Sequence, residues 1–184
     1  MLRVLVPLAQ GCEELEAITI TDLLVRAGIQ VTTAGLDDQP VTASRGTRIL
    51  PDTSIDQVLD QDFDMIVLPG GLPGADHLRD DAQLQQLLKK HASSDRPVGA
   101  ICAAPKALAA AGLLDGKTAT AYPGTLEALH NTAINISARD VEIDGNVITS
   151  RGPGTAMDFA LKLIEVLAGK AKRDEVNAQL VRNH

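Results

Sequence analysis

The strongest limit on how this chain can fold comes from three short, nearly unbroken apolar runs: 2–8 (LRVLVPL), 63–68 (FDMIVL) and 97–102 (PVGAIC). None alternates strictly between apolar and polar residues, so neither face of such a strand is made for solvent. That is the pattern of a parallel sheet covered by helices on both sides. The stretches between the runs read as helices. Residues 13–27 stop at Gly28, and 29–34 resume as strand. Helices over 82–91, 103–111 and 155–168 follow, the last two stopping at Gly112 and Gly169, and 170–183 continues as a terminal helix. Ser54 with Gln57 makes a capping-box pattern ahead of a further short helix. Two hairpins interrupt the alternation: 41–44 with 47–50 about Arg45-Gly46, and 141–143 with 147–149 about Asp144-Gly145-Asn146. The expectation is one α/β domain over 1–184, a mostly parallel sheet between helical layers with small antiparallel additions.

At 184 residues the chain is long enough for one substantial core. Its aromatics are Phe63, Tyr122 and Phe159 alone, so that core must be aliphatic, and a base-stacking platform is not expected. With 17 basic and 24 acidic side chains the net charge is −7, which speaks against strong nucleic-acid binding, since phosphates are held by cations. No stretch approaches the ~20 apolar residues that span a bilayer, so no membrane partner is expected. Two cysteines, Cys12 and Cys102, are too few for a disulfide framework, and a reducing cytoplasm is the expected setting.

The most informative segment is 98–105, VGAICAAP. A buried strand runs into a helix with no loop residues to spare. Pro105 lacks an N–H and is tolerated only in a first helical turn, so the helix starts near 102–104. Cys102 then sits at or beside the N-cap, where unpaired N–H groups and the helix dipole favour a thiolate and lower the thiol pKa below ~8.5. The small neighbours Ala100, Ala103 and Ala104 suit a nucleophile on a tight strand–turn–helix. The plainer reading is a buried Cys acting as a small apolar residue. The turn geometry favours the reactive one.

Two further segments flank the same end of a parallel sheet. Residues 69–74 (PGGLPG) follow the strand FDMIVL, and loops leaving the carboxyl ends of strands build the ligand crevice. Gly70 and Gly71 let backbone N–H groups approach a ligand closely, as in an oxyanion hole, or simply make a tight turn. Neither a Walker A loop nor Gly-x-Gly-x-x-Gly is present, so nucleotide binding has no support. Residues 11–16 (GCEELE) open the first helix. Glu16 heads the stripe Ile20, Leu23, Ala27 that otherwise faces the core, so its carboxyl should be desolvated, with a raised pKa, and able to hold or pass a proton. Periodicity leaves Glu13 open too, since it leads a similar stripe through Ala17 and Ile20.

Together GCEELEA, VLPGG, AICAAP and SRGPGTAMDFAL, in this order over nearly the whole chain, resemble the ThiJ/PfpI superfamily, in its Parkinsonism-associated deglycase and YajL-like branch. The resemblance implies a flavodoxin-like sandwich, a homodimer, and no cofactor or metal. It implies Cys102 as nucleophile, Glu16 as its acidic partner, and Gly70, Gly71 and Ala103 as backbone donors. It also puts Arg26, Arg45 and Pro153 at the pocket or the dimer interface. The implied activity converts methylglyoxal or glyoxal to a hydroxy acid, or releases such adducts from proteins and nucleotides, in response to carbonyl and oxidative stress. A redox-sensing, chaperone-like protein with an oxidisable Cys102 is the alternative. An amidase or peptidase is a weaker one: Tyr122 stands where some relatives carry a His, and no His follows Cys102. Tyr122 is left as a pocket residue, and His77, His91, His130 and His184 read as surface or turn residues. Cys12 should open on the same crevice, as a resolving thiol or as a small loop residue.

Overall fold

The computed structural model describes residues 1–182. The first half of the chain runs β1 (Arg3–Leu8), α1 (Glu14–Arg26), β2 (Gln30–Gly35), β3 (Val41–Thr42), β4 (Arg48–Ile49), β5 (Thr53–Ser54), β6 (Met65–Leu68), α2 (Gly74–Asp80) and α3 (Ala82–Ala92). The second half runs β7 (Val98–Ile101), α4 (Pro105–Ala110), β8 (Thr118–Ala119), β9 (Asn135–Ile136), β10 (Val141–Asp144), β11 (Val147–Ser150), α5 (Ala156–Ala168) and α6 (Lys170–Gln179). Seven strands make the central sheet in the order β10-β11-β7-β6-β1-β2-β5. Every neighbouring pair is parallel except the antiparallel β10–β11 pair at one edge.

The apolar runs are explained by burial on both faces. In β6, Met65 and Val67 join the cluster built on Ile20 of α1 and Phe159 and Leu163 of α5, while Ile66 and Leu68 join the opposite cluster with Leu84 of α3 and Leu108 of α4. Side chains of a strand alternate between faces, so a strand sandwiched by helices must be apolar at every position. Burying each such side chain contributes roughly 1.5–3 kcal/mol. A charge at Val67 would forfeit that and strand itself in the core.

The observed elements depart from the sequence reading where local pattern is weakest. α4 starts at Pro105, not at 103, because residues 102–104 form a turn with Cys102 at φ 63°. α2 is a helix of seven residues that the glycine-rich run concealed, and β5, β8 and β9 are two residues each, too short for any periodicity. Ser54 precedes a 3-10 turn over Ile55–Gln57 without capping it; its hydroxyl bonds Asp56 instead. The β3–β4 hairpin is a separate two-stranded sheet, whereas β10–β11 does extend the main one. α6 ends at Gln179, and position 183, where the sequence pattern carries it, lies outside the described residues.

β1 lies between β2 and β6, and the chain leaves it first to one side and then to the other. The connections after β1 and β6 therefore diverge, which opens a crevice beyond the carboxyl ends of these strands.

Candidate active site

Cys102 directly follows β7 in the left-handed region, at φ 63°, uncommon for a residue with a Cβ. Two backbone bonds hold it there. Its N–H donates to the Ser150 carbonyl at 2.9 Å, and its carbonyl accepts from the Tyr122 N–H at 2.8 Å. Strain of this kind costs about 1–3 kcal/mol and persists only where the surroundings over-determine it. The N–H groups of Gly71 and Ala103 reach the Cys102 sulfur.

Glu16, in the first turn of α1, is fully buried beneath the same turn. Its Oε2 accepts the Gly70 N–H at 2.8 Å, and its Oε1 has no hydrogen-bond partner among the described residues. Burial pushes its pKa up to about 7, against the lowering influence of the Gly70 N–H and the Cys102 thiol. Glu13 is the other carboxylate that periodicity left open. It lines the cavity and accepts the Ser44 hydroxyl at 2.8 Å. Glu14 takes N–H donors from Arg45 and Thr47 of the β3–β4 hairpin, both at 3.1–3.3 Å. Desolvation opposes its ionisation, but these bonds outweigh it and hold its pKa down to about 2.

Gly70 is the spacer of this arrangement. A Cβ there would lie 2.6 Å from Cys102 Cβ and 2.8 Å from Glu16 Oε2, so only glycine lets the carboxyl and the cysteine come together. Gly71 has φ 89°, and a side chain on it would run into the backbone of Cys12 and Glu13.

Cys102, Gly71, Ala103, Arg45, Tyr122 and Pro153 all line one cavity of about 380 Å³. Five lining residues escaped the sequence reading: Glu13 as a wall residue, Ser44, Leu72, Thr125, and Lys106 one position into α4. Lys106 carried a weak signal, since an i+4 position from Cys102 across a helix start is a neighbour only once the turn is known.

Several expectations need correction. The Cys102 thiol is raised to about 12, not lowered: burial is the main cause, the Glu16 charge adds to it, and the Gly71 and Ala103 N–H groups only partly oppose them. Cys102 is 8 % exposed, and a helix-start argument cannot see that desolvation. Gly70 does not offer a free donor, because its N–H is engaged by Glu16. Arg26 does not line the cavity. It sits at the far end of α1, ten residues and roughly 15 Å along the axis from Glu16, paired with Asp22 at 2.7 Å. Cys12 is fully buried in the core and does not open on the crevice; burial and the Glu14 and Glu13 charges push its thiol up to about 12. His91 is buried against the Pro97 carbonyl, Nε2 to O 3.0 Å, where desolvation lowers its pKa. His77 and His130 are exposed, and His184 lies outside the described residues. No described histidine lines the Cys102 cavity.

The model of the DJ-1/PfpI family matches residues 2–166. The chain is 49% identical over 173 residues to Protein dj-1beta of Drosophila melanogaster, covering 94% of this chain and 92% of that protein. It is 38% identical over 167 residues to the glutathione-independent glyoxalase DJR-1.2 of Caenorhabditis elegans, covering 91% and 89%. The crystal structure of Drosophila melanogaster DJ-1beta superposes with a TM-score of 0.95 at 46% identity, covering 100% of this chain and 99% of that one. The fold is thus the flavodoxin-like α/β sandwich that the motifs imply.

Proposed function

The chain belongs to the DJ-1/PfpI family, and from that premise we propose that it is a cofactor-independent glyoxalase or deglycase working through Cys102. Its substrates are methylglyoxal and glyoxal, free or as adducts. The observation that carries this reading is the buried Glu16 carboxyl brought beneath a strained cysteine whose sulfur meets two backbone N–H groups. A relative 38% identical is named a glyoxalase.

The raised thiol makes proton transfer part of the first step. As Sγ attacks the aldehyde carbon, the S–H proton passes to the Glu16 carboxylate, whose pKa near 7 suits a base at neutral pH. The C=O electron pair moves onto oxygen, which the Gly71 and Ala103 N–H groups stabilise until it is protonated to a hemithioacetal. Glu16, ionised again, removes the proton from the sulfur-bearing carbon, and the enediol that forms takes a proton back on the neighbouring carbon. The result is a 2-hydroxyacyl thioester. Water cleaves its C–S bond, releasing the hydroxy acid and restoring the thiol, with no net oxidation.

Two alternatives have less support. A redox sensor favours a thiolate at rest, and burial of Cys102 works against one. An amidase or peptidase wants a base such as histidine beside the sulfur, and no described histidine lines the cavity, whose wall carries Tyr122.

The proposal includes a homodimer in a reducing cytoplasm. α1 exposes Leu15, Ile18 and Val25 on the face away from the core, an apolar stripe suited to a second copy. Arg26 adjoins that stripe, which favours the dimer-interface side of its expected role. Among the described residues no helix is long and apolar enough to cross a membrane.

Lactate formation from methylglyoxal tests the activity. Wild type should produce it and Cys102→Ala should not; equal rates would overturn the reading.

A further inference from the structure

We propose that Lys106 is a specificity-determining residue that draws a carboxylate-bearing oxoaldehyde or adduct to Cys102 in preference to a neutral one of the same size. The inference rests on the reading of Cys102 as the group that adds to the carbonyl, and it names the kind of substrate that group meets.

Lys106 lies in the first turn of α4, lines the Cys102 cavity, and has a side chain only 14% exposed. Its ammonium is tethered rather than loose: Nζ lies 2.8 Å from Asp76 Oδ1 on α2. That carboxylate oxygen is shared with Arg79, whose guanidinium lies 3.1 Å away. Lys106 is thus only partly neutralised by Asp76, and the ammonium keeps two of its three N–H donors for other acceptors. A cation that is mostly buried is poorly screened and acts more strongly than one in open solvent.

A second cation stands at the same cavity. Arg45 lines it, is exposed at the hairpin turn, and has no ion pair among the described residues. Against these two cations the cavity wall sets one carboxylate, Glu13, already engaged by the Ser44 hydroxyl. The chain as a whole carries −7 and repels anions, and the Glu14 and Glu16 carboxyls stand behind this wall, so Lys106 and Arg45 are the groups on it that can attract an anion. The hydroxyls of Tyr122 and Thr125 add hydrogen-bonding partners on the same wall. A carboxylate a few bonds from the aldehyde would meet Lys106 while its carbonyl lies at the sulfur. The hydroxy acid released in the reaction is itself a carboxylate and would be held by the same ammonium.

The experiment compares alkylation of Cys102 by iodoacetate with alkylation by iodoacetamide, read by peptide mass spectrometry. The two reagents differ in charge, and both react with the same thiolate. Their rate ratio therefore cancels any change in thiol pKa and needs no turnover. Lys106→Met should lower the iodoacetate-to-iodoacetamide ratio roughly threefold to tenfold, the effect of one nearby charge in a partly screened site. Lys106→Arg should keep the wild-type ratio. An unchanged ratio in Lys106→Met, with Cys102 still alkylated by iodoacetamide, overturns the proposal and shows Lys106–Asp76 to be a structural tie between α2 and α4. A wild-type Cys102 inert to both reagents sinks the proposed function and this proposal together. A normal ratio shift in a protein that makes no lactate sinks the proposed reaction alone.

Discussion

Gly70 gives its backbone N–H to Glu16 Oε2 at 2.8 Å, and the missing side chain of Gly70 is what leaves Cys102 room beside that carboxyl. The proton-holding group and the sulfur are therefore joined through a residue that contributes only backbone. The consequences of this junction can be tested one residue at a time.

Gly70→Ala should be more damaging than its size suggests. The new Cβ would sit 2.6 Å from Cys102 Cβ and 2.8 Å from Glu16 Oε2, so one of them must move. Overpacking of this kind costs about 1–3 kcal/mol. Urea unfolding should show that loss, and methylglyoxal turnover should fall even where the variant is fully folded. Wild-type turnover in the alanine variant would show that the close approach of Glu16 and Cys102 is unimportant.

Glu16→Gln should slow turnover while lowering the Cys102 thiol pKa, because the Glu16 charge is one of the influences that raise it. Alkylation rate against pH reads that shift directly. The same substitution has a signature in stability. The folded pKa of Glu16, about 7, lies above its ordinary value of 4.5, so the folded state binds a proton that the unfolded chain has released. Its contribution is complete below pH 4.5 and is lost as pH rises through 7, by on the order of 3 kcal/mol. Unfolding of the wild type at pH 5 and at pH 7.5 should show this decline, and the Gln variant should flatten it. Parallel pH profiles for the two proteins would contradict the burial argument.

Arg45 and Arg26 should separate cleanly. Arg45→Ala removes a cation from the cavity wall and should raise KM for methylglyoxal adducts that carry a carboxylate. Arg26→Ala removes only an exposed pair with Asp22 on the far turn of α1, worth about 0.3–0.5 kcal/mol. In the monomer-level kinetics it should be silent. A large KM change from Arg26→Ala would mean that a second copy carries it into the site.

Leu15→Lys with Ile18→Asp should convert a dimer to a monomer in sedimentation velocity, since both side chains are about half exposed on the outward face of α1 and neither supports the core. A wild type that sediments as a monomer at micromolar concentration would remove the dimer from the proposed function.

The chain's own letters determine the sandwich. Val67 and Ile66 report it directly, because a strand pressed between two helical layers must be apolar at successive positions and few other placements require that. They also mark Cys102 and Glu16 as residues out of ordinary company, one at a strand-to-helix turn and the other at the head of an apolar stripe. The raised pKa of Glu16 was legible from that stripe, but the state of the thiol was not. A thiol pKa depends on how much water is excluded and on which charge lies opposite, and at Cys102 burial and Glu16 together reverse the sign inferred from the helix start. Gly70 turning its N–H to Glu16, Arg26 standing far from the cavity and Lys106 lining it depend on where α1, α2 and α4 meet. Those are contacts between segments tens of residues apart, and no local pattern encodes them. The tertiary packing decided which of the candidate groups share a cavity and what charge each can carry there.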